Sequence, residues 1–178
     1  MSDDVARLLI AESKRRLLGE SLPRLEKCLA LLSEEEIWRR PNHETVSVGN
    51  LVLHLCGNLG QWLLSTFGGQ PDRRERAAEF EEKGPIAKAE LLARLRDTMR
   101  RTELVLDAVD SATLGQLRRV QGFQETGVAI LVHVVEHFSY HVGQATFIVK
   151  ARSGRETGWY AGQELGRTGR TGHTGRSG

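Results

Sequence analysis

Apolar residues recur every three or four positions in four long segments of the chain, which is the spacing of one face of an α-helix. In the first segment, Ser2 or Asp3 can cap the helix, and Pro23 is expected to kink or restart it. The four segments run from about 2 to 32, 47 to 67, 86 to 109 and 125 to 150. Because no stretch has the alternation typical of a strand, the pattern predicts an all-α protein with the architecture of a four-helix bundle.

The connections between these segments carry turn and capping signals. SEEEIW, from Ser33, has the pattern of a capping box and predicts one short extra helical turn. DRRERAAEF, residues 72–80, is too short to form an independent helix, so it predicts a crossover with a short helix. From Ser153 the sequence becomes rich in Gly, Arg and Thr, which predicts a flexible tail over 153–178 beside a single domain of residues 1–152. Trp159 and Tyr160 are expected to dock on the bundle, and His173 lies in the tail, away from any site.

The second helical segment has an unusual polar stripe. It contains no charged residue from Thr45 to Pro71, yet polar side chains recur there at intervals of three or four, centred on His54. The stripe consists of Ser47, Asn50, His54, Asn58, Gln61 and Ser65. Solvent-facing stripes normally contain Lys, Glu or Arg, so an uncharged polar stripe within an apolar helix is expected to line the interior of the bundle.

The last helical segment repeats this feature in HVVEHFSYHVGQ, where His133, His137 and His141 are spaced four residues apart. Residues four apart stack on one helix face, and Glu136 is the only charge in the interior of this otherwise apolar helix, which is therefore predicted to be buried. The outer two histidines lie about 12 Å apart by helix rise, so at most two adjacent imidazoles of this helix can bind the same metal ion. The spacing leaves open which adjacent pair that is, and a further ligand is needed from a facing helix, where His54 is available.

Composition and charge exclude several functions. A chain of 178 residues with net charge +2 fits one domain. The stretch from Leu165 onward holds three arginines and no acidic residue, so the body before it has no basic excess. We therefore predict no nucleic-acid binding. Cys28 and Cys56 match no disulfide, zinc or redox pattern, the N-terminus does not resemble a signal peptide, and polar residues interrupt the most apolar segment. A cytoplasmic protein without a membrane span is expected.

Four motifs together resemble the DinB/YfiT-like metalloenzyme superfamily, and within it the DUF1572 branch. They are WRRPN at 38–42, SVGNLVLHLCGNLGQW at 47–62, DRRERAAEF at 72–80 and HVVEHFSYHVGQ at 133–144. The resemblance covers most of residues 3–150 and implies a four-helix bundle that holds a divalent metal. The ligands it implies are His54, His137 and His141, which leaves His133 one turn outside the set.

The resemblance also suggests roles for residues near these ligands. Glu79, in the crossover, is expected to lie over the site as a hydrogen-bond acceptor or proton carrier, or to remain a solvated carboxylate. Asn58 and Gln144 lie one turn beyond the histidines and are expected either to orient ligands or bound water or to make ordinary hydrogen bonds within the bundle.

Three neutral imidazoles leave a divalent zinc, nickel or iron ion with open positions, which is typical of a catalytic site.

Characterised members of the superfamily include transferases and isomerases that use low-molecular-weight thiols such as bacillithiol, mycothiol or glutathione. The resemblance thus implies a metal-dependent thiol transferase or detoxification enzyme acting on small molecules, and a homodimer is expected. The alternatives are a metal-dependent hydrolase with Glu79 or another carboxylate as base, and a non-catalytic bundle or metal-binding module. Because Cys56 projects away from His54 and Cys28 lies among leucines, the reacting sulfur is expected to come from a cosubstrate.

Overall fold

The computed structural model describes residues 2–166, and most of them are helical. The helices are α1 Asp3–Lys14, α2 Leu22–Ala30, α3 Glu34–Trp38, α4 Val48–Leu59, α5 Arg76–Glu81, α6 Lys88–Asp107, α7 Ser111–Gly115 and α8 Gly127–Ser153. The bundle consists of four helical rods, of which the first is α1 together with α2 and the others are α4, α6 and α8. Two π-helical segments, Arg15–Ser21 and Gly60–Ser65, continue α1 into α2 and extend α4. The predicted all-α bundle is confirmed.

The predicted helix starts have the expected caps. The Ser2 hydroxyl accepts a hydrogen bond from the Val5 amide at the start of α1, and Ser33 and Glu36 form a capping box at α3. Pro23 lies in the first turn of α2, immediately after the π-helical segment. A missing amide hydrogen costs least in the first turn of a helix, so the residue marks a restart of α2.

The expectation that no strand forms is wrong for residues 117–126, where β1 Leu117–Val120 and β2 Phe123–Thr126 pair as an antiparallel hairpin. Gln121 and Gly122 connect them with φ values of +51° and +84°. Positive φ at both turn positions is the requirement of a type I′ hairpin turn. A Gln-Gly pair between strands of four residues is a weak form of that signal, which explains why periodicity alone missed it.

One hydrophobic core fills the bundle. It contains apolar side chains from α2, α4, α6 and α8 that are almost completely inaccessible, including Leu25, Leu29, Leu51, Leu55, Leu59, Leu91, Leu95, Ile130, Val134 and Phe138. The last helix departs from the prediction of burial, because Val132, Tyr140 and Phe147 are mostly exposed. No helix within residues 2–166 is long and apolar enough to span a membrane.

The segment after α8 folds back on the bundle. Gly154 ends α8 in the left-handed conformation at φ +61°, and Trp159 and Tyr160 then approach α2. The Arg24 guanidinium lies 5.5 Å from the Tyr160 ring centroid, and the Lys27 ammonium lies 5.5 Å from that of Trp159. Disorder of the tail stays a prediction, and residues 167–178, including His173, lie outside the described part of the chain.

Candidate metal centre

The N-terminal turn of α4 fixes the crossover over the site. The Ser47 hydroxyl accepts from the Asn50 amide, and the Asn50 side-chain oxygen accepts from the Ser47 amide, which forms a reciprocal cap. The Asn50 side-chain nitrogen then donates to the carbonyl oxygens of Glu79, at 2.9 Å, and Glu82, at 2.8 Å. These bonds anchor the C-terminal half of α5 to the helix that carries His54.

His54, His137 and His141 converge between α4 and α8. One nitrogen from each ring can be chosen so that all three atoms lie within 4.8 Å of one another. The Nε2 atoms of His54 and His137 are 3.1 Å apart, and the His141 ring centroid lies 4.8 Å from that of His54 and 4.5 Å from that of His137. The structure therefore brings together the three histidines that the resemblance implied.

Glu79 lies behind His54 and is almost fully buried. One carboxylate oxygen, Oε2, lies 2.8 Å from His54 Nδ1 and 3.0 Å from Arg74 Nη2, and the other, Oε1, lies 2.8 Å from Arg74 Nε. The predicted contact between Glu79 and the site is therefore present, and the alternative of a solvated carboxylate is wrong. Burial follows from the crossover, which α4 holds in place through Asn50.

Arg74 is a site residue that the sequence pattern did not reveal. Its side chain is only 3% exposed, and besides Glu79 it contacts Gln61, with Nη1 donating to Gln61 Oε1 at 3.0 Å. The Gln61 amide in turn donates to Asp72 Oδ2 at 2.8 Å. Arg74 precedes α5 in an irregular segment, so helical periodicity gives no direction for its side chain. The sequence contained only an indirect signal. Gln61 belongs to the uncharged stripe, and an inward-facing polar side chain requires a polar partner, which in the structure is Arg74.

The network determines which nitrogen of His54 carries the proton. Arg74 Nη2 also lies 3.1 Å from His54 Nδ1, but if Nδ1 were an acceptor it would face the Glu79 carboxylate oxygen at 2.8 Å with lone pair against lone pair. The stable arrangement has Nδ1–H donating to Glu79, which leaves the Nε2 lone pair directed toward His137. A carboxylate that holds the outer nitrogen of a histidine in this way is a common feature of metal-binding histidines.

Gln144 performs a similar role for His141. The Gln144 side-chain oxygen lies 2.7 Å from His141 Nδ1, and its nitrogen donates to the Tyr140 hydroxyl at 3.3 Å. With Nδ1–H donating to Gln144, His141 also keeps its Nε2 lone pair free. His137 Nδ1 is buried and has no hydrogen-bond partner within residues 2–166. Gln144 thus contacts a candidate ligand, as predicted.

His133 lies outside the cluster. Its ring stacks on Trp62 with a centroid distance of 3.8 Å, and its Nε2 lies 3.4 Å from the Asn58 side-chain nitrogen. The Trp62 indole donates to Gln121 in the hairpin turn at 3.1 Å. Asn58 therefore contacts His133 rather than a member of the triad, and its role in orienting metal ligands stays a prediction.

Comparison with known proteins agrees with this architecture. The family described as "Protein of unknown function (DUF1572)" matches residues 5–161. The chain belongs to the DUF1572 family.

Two solved structures resemble this DUF1572 protein in fold. One, described as a conserved protein from Enterococcus faecalis, is 20% identical with a TM-score of 0.67, and the match covers 82% of this chain and 97% of the other. The second, a DinB-like protein from Bacillus cereus, is 14% identical with a TM-score of 0.61, covering 78% and 89%. No curated protein matches the sequence. The predicted membership of the DUF1572 family is confirmed, and the chain shares its fold with a DinB-like protein.

The electrostatics of the DUF1572 site favour the neutral form of His137 and His141. Burial, followed by the neighbouring histidines His141 and His54, lowers the pKa of His137 from 6.5 to about 3, and burial also lowers the pKa of His141. Burial alone would raise the pKa of Glu79, but hydrogen bonds from His54 and Arg74 outweigh it and lower this pKa below its usual 4.5. His137 and His141 are therefore neutral nitrogen donors, and Glu79 behind His54 is an ionised carboxylate.

This donor set fits a divalent cation. Metal-to-nitrogen bonds of about 2.1 Å at tetrahedral or octahedral angles place adjacent donors about 3.0–3.4 Å apart, and the two Nε2 atoms of His54 and His137 are already 3.1 Å apart. The widest pair of the triad is within 4.8 Å, so closing around one ion requires side-chain rotation rather than a helix shift. Imidazole suits zinc, nickel and iron.

Proposed function

We propose that this protein is a divalent-metal-dependent enzyme that transfers a low-molecular-weight thiol to an electrophilic small molecule. The observation that carries the proposal is the convergence of three histidines from two helices, with His54 held in place by the buried Glu79–Arg74 pair. Three protein ligands leave positions for a cosubstrate, which is typical of catalytic rather than structural metal sites. A bound zinc, nickel or iron ion would supply Lewis acidity that favours the thiolate form of the cosubstrate.

Thiol transfer suits the surroundings of the site better than hydrolysis does. Hydrolysis needs a base that removes a proton from the attacking water, and a free carboxylate would serve. Glu79 is the carboxylate at the site, but both of its oxygens accept hydrogen bonds from Arg74 and His54. A thiol is far more acidic than water and needs less help to ionise. Glu79 therefore has a positioning role in this proposal, in which it holds His54.

The reacting sulfur belongs to the cosubstrate. Burial raises the pKa of the Cys56 thiol to about 11, and burial also raises that of Cys28, which lies 3.6 Å from the Thr146 hydroxyl. Neither is a reactive nucleophile under these conditions. In the proposed transfer the cosubstrate loses its S–H proton to solvent, a bond forms between sulfur and the electrophilic carbon, and the leaving group departs with the electron pair of the broken bond. A cytoplasmic location, where thiols are kept reduced, suits this chemistry.

Metal content tests the proposal directly. The full chain is purified without a nickel column, and its metal is measured by elemental analysis alongside His54→Ala, His137→Ala and His133→Ala variants. We expect about one ion per chain in the wild type and in His133→Ala, because His133 contacts Trp62 and Asn58 instead of the triad. The variants of the triad residues should lose most of it. Equal metal in all four proteins would overturn the proposal.

Turnover is then measured with the metal-loaded protein, a low-molecular-weight thiol and an aromatic electrophile, by following consumption of free thiol. Metal-dependent consumption that disappears in His137→Ala supports transfer. Stoichiometric metal with no consumption across several thiols and electrophiles would contradict thiol transfer, whereas the assignment of the metal ligands would stand.

A further inference from the structure

A large apolar pocket lies next to the metal centre. It has a volume of about 690 Å³ and is formed by the 41–46 loop, the start of α4 and the C-terminal half of α8. This volume falls within the range of about 300–1,000 Å³ that is typical of small-molecule sites. Its main apolar surfaces come from Val46, Leu51, Tyr140, Phe147 and Ile148.

The pocket is adjacent to the histidine triad through two helices. Leu51 precedes His54 by three residues on α4, and Gln144 follows His141 by three on α8, so each pocket residue lies one turn from a candidate metal ligand. Gln144 connects the two directly, because its oxygen accepts from His141 Nδ1 at 2.7 Å while its nitrogen donates to the Tyr140 hydroxyl. A molecule in the pocket would contact the same amide that orients His141.

The chemistry of the walls restricts the occupant. Among the described residues that line the pocket there is no Lys or Arg, and Glu44 is the one charged residue. An anionic thiol would find no positive partner there, whereas an uncharged apolar molecule would bury carbon against carbon. Tyr140 and Phe147 are 63% and 72% exposed, which is unusual for aromatic side chains on an otherwise apolar helix and is explained if a ligand covers them.

We propose that this pocket binds the apolar part, aromatic or aliphatic, of the uncharged electrophile that receives the thiol, beside Gln144 and one turn from His141. The identity of the occupant as the electrophile rests on the proposed function. The binding of an uncharged apolar molecule does not rest on the proposed function, because it depends only on the pocket walls.

Gly143 provides a way to fill the pocket without disturbing the core. It lines the pocket, it is exposed on α8, and a Cβ added there would meet no atom within 4 Å. Gly143→Leu should therefore fold and project its side chain into the pocket. Gly19→Leu is the matched control, because Gly19 is also an exposed helical glycine, remote from the pocket, whose added Cβ would meet only Arg15 Cγ at 4.0 Å.

The probe is N-phenyl-1-naphthylamine, an uncharged aromatic compound whose fluorescence rises in apolar surroundings. It is titrated into the full-chain wild type and both variants, with and without a chelator. We expect saturable binding to the wild type and to Gly19→Leu, at least tenfold weaker binding to Gly143→Leu, and little effect of the chelator. Equal binding to the two leucine variants would overturn the proposal.

A second variant makes the result independent of any folding defect in Gly143→Leu. Phe147→Ser removes an exposed wall without opening the core and should also weaken probe binding several-fold, while circular dichroism stays unchanged.

Sedimentation of the wild type tests the other occupant, a second copy of the chain. If self-association excludes the probe and Gly143→Leu makes the protein monomeric, the pocket is a dimer contact and the proposal is overturned.

Turnover distinguishes failure of this proposal from failure of the proposed function. With an active enzyme and an aromatic electrophile, Gly143→Leu should raise KM for the electrophile about tenfold and leave KM for the thiol unchanged. A rise confined to KM for the thiol would overturn the placement of the electrophile. If the protein transfers no thiol but binds the probe in the predicted way, the proposed function fails and the pocket remains an apolar ligand site.

Discussion

At the residue scale, the position of His54 depends on two side chains that bring no ligand atom to the triad. Glu79 accepts from His54, and Arg74 donates to both oxygens of Glu79. Both members of the ion pair are shielded from solvent, with Arg74 3% and Glu79 9% exposed at the side chain. Shielded pairs behave differently from surface pairs, because removing one partner leaves the other without a counter-charge.

We expect Arg74→Met to lower metal affinity about 10- to 100-fold, as is usual when the support of a metal-binding histidine is lost. It should also destabilise the metal-free protein by about 3 kcal/mol, because Glu79 is left as a buried carboxylate without its guanidinium partner. Metal affinity is measured by competition with a chromophoric chelator, and stability by urea denaturation.

The double variant Arg74→Met with Glu79→Gln is the control for this prediction. It removes the buried charge together with its partner, so stability should recover partly relative to Arg74→Met alone, while metal affinity stays low because His54 has lost its carboxylate. Glu79→Gln is also measured alone. If the losses of stability in Arg74→Met and Glu79→Gln add up to the loss in the double variant, Arg74 and Glu79 do not act as a pair.

At the element scale, α4 and α5 approach closely because α4 has a glycine at the contact. A Cβ added to Gly57 would lie 1.8 Å from Glu79 Oε1 and 3.1 Å from Arg74 Nε. Gly57 therefore provides the space in which the carboxylate reaches His54, one turn earlier on the same helix. Gly60 follows three residues later, and an added Cβ there would meet nothing within 4 Å.

These two glycines make opposite predictions for the same substitution. Gly57→Ala should destabilise the protein by about 1–3 kcal/mol and weaken metal binding, because Glu79 is displaced. Gly60→Ala should leave metal binding unchanged and be neutral or stabilising by up to about 1 kcal/mol, since alanine has the higher helix propensity. Thermal unfolding and chelator competition measure both. Similar metal affinity in the two variants would contradict the role given to Gly57.

The elements differ in how far their sequences predict them. The four long helices were predictable because their apolar periodicity is sustained over many turns, and Ser2 and Ser47 cap two of them. The π-helical segments were not, since Arg15–Ser21 and Gly60–Ser65 keep an almost helical pattern of apolar residues. The hairpin at 117–126 was missed because its strands are short and its turn uses Gln121.

At the scale of the whole molecule, the candidate site combines residues that sequence spacing can and cannot bring together. His54 and the histidines of α8 were predictable as inward-facing groups because each belongs to an uncharged stripe on a long helix. The choice of His137 with His141 came from family resemblance, because spacing treats His133 equally. Arg74 could not be predicted, since its contact with Glu79 depends on the path of an irregular crossover.

The burial of the histidines also makes the stability of the whole protein depend on pH. The pKa of His137 is lowered from 6.5 to about 3 in the folded state, and that of His141 is lowered too, so below about pH 6.5 the unfolded chain binds protons that the folded chain does not. The part of the free energy of unfolding that depends on the neutral state of these two histidines is therefore complete above pH 6.5 and is lost as the pH falls toward 3.

We expect the free energy of unfolding of the chelator-treated protein to fall between pH 7 and pH 5 by at most about 1.4 kcal/mol per pH unit for each histidine, and by less where solvent reaches the ring. The lowered pKa of Glu79 acts in the same direction, but below its ordinary value of 4.5, so this window reports the histidines. Urea denaturation at several pH values measures the slope.

His137→Asn should make the slope shallower because it removes the group with the lowest pKa, whereas His43→Asn, at an exposed position, should leave it unchanged. A wild-type slope equal to that of His137→Asn would mean that His137 takes up its proton as readily in the folded protein as in the unfolded chain, which its burial beside His54 and His141 should prevent.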